Sequence, residues 1–510
     1  MRNSTMRTHV LLAAFIFLFL HTTGVSAQPF AIETELLRPE ASVGDGFGIS
    51  IAMDHQTTAI GAWLTDENGV DSGAAYVYER GEFENPWNLT GSDTAEGDFF
   101  GMSVGIDADT AIVGARRNDG AGNGAGSAYI FDRHKGGSNN WGETMRLVGS
   151  DTDDLDAFGD SVAISGDTAV VAATFKFVRS GTWIGTVYVF ERNHGGRNNW
   201  GEVAKLVASD SAGGDDFGRS IAINGDTLIV GASGIDRSAG AAYVFERNFG
   251  GANNWGEVLK LTAAETSSGD HFGNSVDISG DTIIVGAPLR QDVANSPAGG
   301  AAYIFDRDPA DTTIWRETVK LTGADTAPGD YFGSVAIDGG TAIVGAYGND
   351  DFGERTGSAY VFQRNLGGED RWGELTKLVP FNASSESTFG MSVGIKDSTA
   401  VVGAPGTASG SGTAYAYSPV MIIGDTNGDG LVNLDDLNNV RNNFGSAGTN
   451  VVGDTNGDEK VDLQDLNNVR NHFGSSSVDN LAVVPEPNSV SLFILCFAFV
   501  WSIRRRRHHR

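Results

Sequence analysis

Residues Asp215–Leu261 read DDFGRSIAINGDTLIVGASGIDRSAGAAYVFERNFGGANNWGEVLKL, and most of the chain is built from copies of this phrase. Its Phe-Gly recurs at Phe47, Phe100, Phe158, Phe217, Phe272, Phe332 and Phe389, at steps of 53, 58, 59, 55, 60 and 57 residues, so the period is structural rather than accidental. Each copy holds four short runs of apolar alternation, here SIAI, TLIVGA, AAYVFER and WGEVLKL, separated by turn residues. Such alternation marks strands, not helices. The first two runs meet at Asn224-Gly225-Asp226, Ser279-Gly280-Asp281 or Ser165-Gly166-Asp167, where glycine supplies the positive φ of a tight hairpin.

A four-stranded sheet with two apolar faces cannot cover both alone, so the copies must stack, and at this period a radial propeller is the arrangement that closes. The expectation is an all-β, seven-bladed β-propeller of four-stranded blades over residues 28–419. The seventh copy supplies only three strands, MSVGI, TAVVGA and TAYAYS. Ahead of the first copy stands an orphan run, ETELLRPEAS, that reads like the fourth strand TKLVPFNAS. Glu33–Arg38 is therefore expected to complete the seventh blade and latch the ring, because that blade otherwise exposes an unpaired edge.

The string FG-SVAI-GDTAIVGA-GSAYVF resembles the FG-GAP repeats of bacterial surface proteins, related to the propeller of integrin α subunits, over roughly residues 30–419. That family's calcium loops read Asp-x-Asp-x-Asp-Gly, whereas the equivalent loops here are short Gly-Asp turns. The resemblance therefore implies the fold and a surface role without calcium in the propeller.

Composition narrows the partners. The chain has 510 residues, 40% of them hydrophobic, enough for a large core. Its net charge of −30 repels phosphate backbones and argues against nucleic acid. The single cysteine, Cys496, excludes an internal disulfide and a cysteine-based zinc site.

Residues 1–27 carry Arg2 and Arg7, the apolar run Val10–Leu20 and then Val25-Ser26-Ala27, the layout of a cleaved secretory signal peptide. The competing reading, a membrane anchor, meets a run of eleven residues where a span needs about 20.

Within the repeats, an acid stands two residues before six of the Phe: Asp45, Asp98, Asp156, Asp215, Asp270 and Asp330, with Ser387 in the seventh. Asp93, Asp151, Asp210, Glu265 and Asp325 precede them in the same loops. Such a ring would attract cations or basic ligands; equally, the aspartates would hydrogen-bond their own turns. Trp87, Trp141, Trp200, Trp255, Trp315 and Trp372 stand before the fourth strand, either to pack the blades or to stack on sugars. Gly-Met-Ser-Val-Gly at 101–105 and 390–394 matches a hydrolase motif, but that motif needs a strand-to-helix elbow, and its serine recurs in the first strand of other copies as Ser161, Ser220 and Ser275. His55, His134, His194 and His271 occupy non-equivalent positions. No catalytic constellation is visible, and the chain is expected not to be an enzyme.

After Pro419 the pattern becomes GDTNGDGLVNLDDLNNVRNNFG, repeated 29 residues later as GDTNGDEKVDLQDLNNVRNHFG. Oxygen donors at loop positions 1, 3, 5, 7, 9 and 12 are a Ca2+ signature. The first loop offers Asp425, Asn427, Asp429, the carbonyl of Leu431, Asn433 and Asp436; the second offers Asp454, Asn456, Asp458, the carbonyl of Lys460, Asp462 and Asp465. The alternative is a pair of Asp/Asn turns without metal. Amphipathic helices are predicted over Leu434–Asn443 and Leu463–His472. One helix per loop and an Asp at position 12 resemble dockerin type I modules, which implies a cohesin-like partner for residues 420–475. The second loop departs from that pattern by placing Glu459 where glycine is usual.

Residues 476–488 form a linker ending in Val484-Pro485-Glu486-Pro487; 489–503 are an apolar run and 504–510 a basic tail. Fifteen residues reach about 22 Å, workable as a transmembrane segment with snorkelling ends, and the arginines are expected to stay cytoplasmic. The three features resemble the PEP C-terminal sorting signal recognised by exosortases; a plain anchor is the alternative. Together these readings give an exported cell-surface or matrix protein that binds an extracellular protein or glycan, with a glycan-active enzyme as the alternative and a purely structural matrix element as the third reading.

Overall fold

The computed structural model describes residues 30–36, 38, 40–79, 82–178, 182–252, 254–290, 299–366, 370–382, 384–406, 411–419, 426, 432, 434–447, 453–455 and 460–473. Residues 1–27 and 476–510, with the signal, linker, span and tail read there, lie outside them. The chain divides into a unit of Pro29–Val420 and a second unit containing the C-terminal segment.

The first unit is a ring of seven antiparallel four-stranded sheets. Blade four shows the plan: Phe217–Asn224 innermost, then Thr227–Ala232, Ala241–Glu246 and, outermost, Gly256–Leu261. The second and third strands are buried along nearly their whole length, TLIVGA completely and AAYVFE in five of six positions. They lie between neighbouring blades, which is why they read as continuous apolar runs, while the outermost strand is only half-buried. Innermost strands of successive blades neighbour one another around the ring.

Phe-Gly joins one blade to the next. Phe100 is fully buried, with its ring 5.4 Å from Tyr129 and 6.1 Å from Phe131 of its own blade. Its N–H donates to the carbonyl of Ser72 in blade one at 3.0 Å. Gly101 then adopts φ +86, and a Cβ there would stand 2.1 Å from the carbonyl oxygen of Ala74. Only glycine satisfies both conditions.

The latch forms as expected, slightly displaced. Phe30–Leu36 pairs antiparallel with Thr413–Pro419 as the outermost strand of blade seven, Glu33 opposite Tyr417 and Leu36 opposite Ala414. The strand thus begins three residues earlier than Glu33 and stops before Arg38, which turns away to ion-pair with Asp45 and to donate to the Tyr76 hydroxyl at 3.1 Å. Leu36 packs with Phe47, Ile60 and Tyr76 of blade one and Val401 of blade seven. Phe47 N–H closes the ring on the carbonyl of Ser411 at 2.9 Å.

In the second unit, helices span Leu434–Asn443 and Leu463–His472, the predicted bounds. Val432, Val440, Val461 and Val469 are wholly buried between them. Among the described residues no helix is long and apolar enough to cross a membrane.

Candidate functional site

Strand direction alternates in each blade, so the loops after the second and fourth strands open on the end where Phe-Gly lies. Tight Gly-Asp turns and the loops before the fourth strand occupy the other end. Among the described residues of the propeller, twelve large hydrophobic side chains are exposed, and ten of them are on the Phe-Gly face; Phe249 and Leu366 are the exceptions. The three most divergent segments, Arg116–Gly126, Thr174–Gly185 and Leu289–Gly299, all follow second strands and open on this face, although 179–181 and 291–298 lie outside the described residues.

The aspartates of this face serve their own turns. Asp98 accepts from Ala95 N at 2.8 Å and Asn118 Nδ2 at 2.9 Å; Asp330 accepts from Ala327 N at 2.8 Å and Asn349 Nδ2 at 3.2 Å. Asp45, Asp156, Asp215 and Asp270 receive the same backbone bond from three residues upstream. The acids that precede them bridge to the following blade: Asp210 accepts from Tyr243 Oη at 2.6 Å and Lys260 Nζ at 2.8 Å. Those two bonds hold its carboxyl below the usual carboxylate range. Asp93, Asp151 and Asp325 take equivalent tyrosines and cations. The acidic ring is consumed by blade joints.

The tryptophans also pack. Trp141, Trp200, Trp255, Trp315 and Trp372 are buried and Trp87 partly so. The sequence reading missed the arginine that covers them. Arg307, at the end of a third strand, stands 4.5 Å from the Trp315 ring, pairs with Asp281 of its own turn at 2.9 Å, and reaches back to Glu246 at 2.5 Å and Thr227 at 2.7 Å in the preceding blade. Arg133, Arg192, Arg247 and Arg364 repeat the clasp with ring distances of 4.8–5.4 Å. The Phe-x-Arg that recurs ahead of Trp141, Trp200, Trp255, Trp315 and Trp372 was the available signal.

A cavity of about 850 Å³ runs through the centre, lined by the innermost strands. One serine per blade faces it. Ser103 Oγ donates to Gly159 O at 2.9 Å and Ser392 Oγ to Gly48 O at 2.7 Å, so both serines of the hydrolase-like motif are blade-to-blade ties. The middle of the wall is otherwise mostly Val, Ile, Ala and Gly, with the acids Asp160, Asp216, Asp277 and Asp338 also on the lining. Asp277 occupies the position of Ala52, Gly105, Ala163, Ala222, Ala336 and Gly394. Its oxygens accept from Ile278 N and, across the blade junction, Ile337 N, both at 2.8 Å. Burial pushes its carboxyl up to about 6, against the pull of those two N–H groups, with the Asp338 charge adding to the rise and Lys396 opposing it.

In the second unit, Asp436 and Asp465 are both fully buried. Asp436 Oδ1 accepts from Thr426 N at 2.6 Å and Thr426 Oγ1 at 3.0 Å; Asp465 Oδ1 accepts from Thr455 N at 2.7 Å and Thr455 Oγ1 at 2.9 Å. Asn439 and Asn468 hold the two threonines identically. Asp462 caps the second helix, accepting from Gln464 N at 2.7 Å. Lys460 bridges Ala447 through its backbone, and Asp454 is half-buried. Asp425, Asn427, Asp429, Leu431, Asn433, Asn456 and Asp458 lie outside the described residues. Two buried carboxylates at equivalent places in a duplicated loop are hard oxygen donors, a chemistry that fits Ca2+.

The seven blades of the ring agree in number with the sequence comparison. The model described as FG-GAP repeat matches residues 32–78, 87–131, 141–190, 200–245, 255–305, 315–362 and 372–417. The chain belongs to the FG-GAP repeat family. Each matched segment runs from an outermost strand into the third strand of the next blade, the same offset that places Phe30–Leu36 in blade seven. No curated protein matches the chain. Among solved structures it is similar to a chain of Kuenenia stuttgartiensis hydrazine synthase, at 13% identity and TM-score 0.46, over 72% of this chain and 94% of that one.

Asp277 generates a pH prediction. Its carboxyl protonates more readily in the fold than at the ordinary 3.8, so its stabilising share is full below about 3.8 and is lost as pH rises through about 6. Melting curves of the full chain should therefore show Asp277→Ala gaining on the parent as pH rises from about 4 to about 7. A constant difference across that window would remove the channel carboxylate from the stability argument.

Proposed function

We propose that this is an exported cell-surface or matrix protein whose propeller recognises an extracellular protein or glycan through its Phe-Gly face, and that it binds rather than catalyses. The observation that carries the reading is the partition of the two faces: exposed apolar side chains and divergent loops gather on one, short repeated turns on the other. Rigid scaffolds with variable loops are where recognition is usually placed. The serines of the hydrolase-like motif favour binding as well, since both are tied to carbonyls of neighbouring blades.

The C-terminal unit is a dockerin-like calcium module in this proposal, with Asp425, Asn427, Asp429, Leu431, Asn433 and Asp436 around one ion and Asp454, Asn456, Asp458, Lys460, Asp462 and Asp465 around another. It fixes where the propeller is displayed, through a cohesin-like partner. Val484–Pro487, the apolar run and the arginine tail act as an exosortase-type sorting signal that holds the chain in the membrane until it is processed.

Three measurements test these parts separately. Replacing Arg116–Gly126, Thr174–Gly185 and Leu289–Gly299 in turn by the short Ser233–Ala239 loop should preserve melting behaviour and weaken adhesion to envelope preparations; undiminished adhesion in all three swaps would overturn the recognition face. Calorimetry on the full chain should find up to two calcium sites, removable by chelator, with Asp425→Ala losing one. Absence of calcium-dependent heat refutes the ion assignment. Intact mass of the envelope-bound protein should lack Arg504–Arg510, and recovery of the complete tail would reduce the segment to an ordinary anchor.

A further inference from the structure

Among the described residues, blade three alone carries an extra two-stranded ribbon on the Phe-Gly face, Phe177–Val178 paired with Thr182–Trp183. Its base is fixed by a buried cation. Lys176 Nζ is 2.6 Å from Asp156 Oδ2, and both side chains are almost sealed from solvent. Phe177 N donates to the other oxygen of Asp156 at 3.1 Å, and Ile184 N to the Lys176 carbonyl at 2.8 Å. Blades two and six hold their aspartates with the smaller Asn118 and Asn349. Blade five makes the same kind of pair with a larger cation, Arg290 to Asp270 at 3.5 Å.

What the ribbon presents is apolar. Alternation puts Phe175 and Phe177 on the side opposite Lys176, and Phe175, Phe177 and Trp183 remain 40, 49 and 42% exposed. The Trp183 ring lies 5.1 Å from Phe177 and 6.5 Å from Phe175, both edge to face. The aromatic trio contributes little to the core, and a rigid, solvent-facing aromatic cluster is the composition of a recognition surface. Phe175 also lines the mouth of the central cavity, together with Asp216, Arg219, His271 and Asn274. Asp216 and His271 are held at φ 54 and 56, the left-handed conformation that the residue before Phe-Gly adopts in every blade.

We propose that the ribbon and the adjoining cavity mouth bind a neutral polysaccharide, with Trp183 and Phe177 stacking on sugar rings and Asp216, His271 and Asn274 bonding hydroxyls. This rests on the reading of the Phe-Gly face as the recognition face and names its ligand class. A sugar ring offers an apolar C–H face edged by hydroxyls, which matches aromatic rings beside fixed polar groups. The chain's charge of −30 opposes a polyanionic polymer. A protein partner would need about 1,200–2,000 Å² of buried surface with an apolar centre. Val70, Leu155 and Phe352 are instead on separate loops, and single exposed apolar residues of that kind require no partner. The contiguous patch is the ribbon, sized for a few sugar units.

The test uses the full chain, with cellulose, chitin and soluble β-glucan as neutral probes and alginate as the anionic one. The parent should be retained by at least one neutral polymer and not by alginate. Trp183→Ala and Phe177→Ala should each weaken that retention by about tenfold, while Phe249→Ala on the opposite face changes it by less than about twofold. Melting temperatures matching the parent show that the variants fold. In the unmodified protein, the bound polymer should also shield tryptophan fluorescence from acrylamide, since Trp183 is exposed whereas Trp141, Trp200, Trp255, Trp315 and Trp372 are already buried. Failure of all neutral polymers to retain the parent overturns the proposal, and so does parent-like binding by Trp183→Ala. Adhesion to envelope that survives periodate destruction of sugars but is lost in the ribbon variants assigns the face to a protein and removes the glycan. Adhesion unaffected by any loop swap removes the recognition face itself.

Discussion

Six of the seven blades are fastened to their predecessor through the N–H of a phenylalanine buried in its own blade and the glycine that follows it. The phenylalanine packs edge-on against the aromatics of the third strand, as Phe158 does on Tyr188 and Phe190. The glycine lets the backbone approach where any Cβ would collide: at Gly159 the nearest carbonyl, that of Ser127, is 2.3 Å from where it would stand. The two residues act as a unit. Apolar burial holds the blade together, and the close approach lets the N–H of the phenylalanine bond the preceding blade, as Phe158 bonds Ala125 at 2.8 Å. Because the joint between Phe47 and Ser411 has the same form, the ring closes on the interaction that propagates it.

A chain of net charge −30 needs somewhere to put its acids, and this fold uses many of them as bridges. On one face, carboxylates cap their own turns or tie tyrosines and lysines of the next blade. Toward the other face, arginines sandwiched on buried tryptophans reach acids and threonines in the blade before. Partly buried pairs of this kind are less screened by salt than exposed ones. They make neighbouring blades register with one another, which is what a scaffold must do to present loops at fixed positions.

Against such regularity, departures from the repeat stand out. Asp277 puts a carboxylate where the other six blades carry Ala or Gly, and its cross-blade bond to Ile337 serves one junction only. Lys176 stands where blades two and six carry asparagine and blade five Arg290, and the aromatic ribbon follows it directly. The duplicated C-terminal loops show the converse. There the two copies keep the same threonine, aspartate and asparagine contacts to within 0.1 Å, as Thr426–Asp436 at 2.6 Å and Thr455–Asp465 at 2.7 Å illustrate. Glu459 is the point at which the second loop's sequence diverges.

Period, strand content, blade number and the role of the orphan strand were all determined by the sequence alone, because each is a local pattern repeated often enough to be counted. Alternation within TLIVGA, glycine at Gly225 and the missing fourth strand after TAYAYS require no knowledge of distant contacts. Only the tertiary structure decided what the recurring polar residues do. Whether Asp210 faced a cation or Tyr243 and Lys260, and that Arg307 reaches Glu246 and Thr227, depended on groups brought together from neighbouring blades. Arg307 and Thr227 are 80 residues apart in the chain and 2.7 Å apart in the fold. A repeat announces that equivalent residues share an environment, but the environment itself is made by the blade next door.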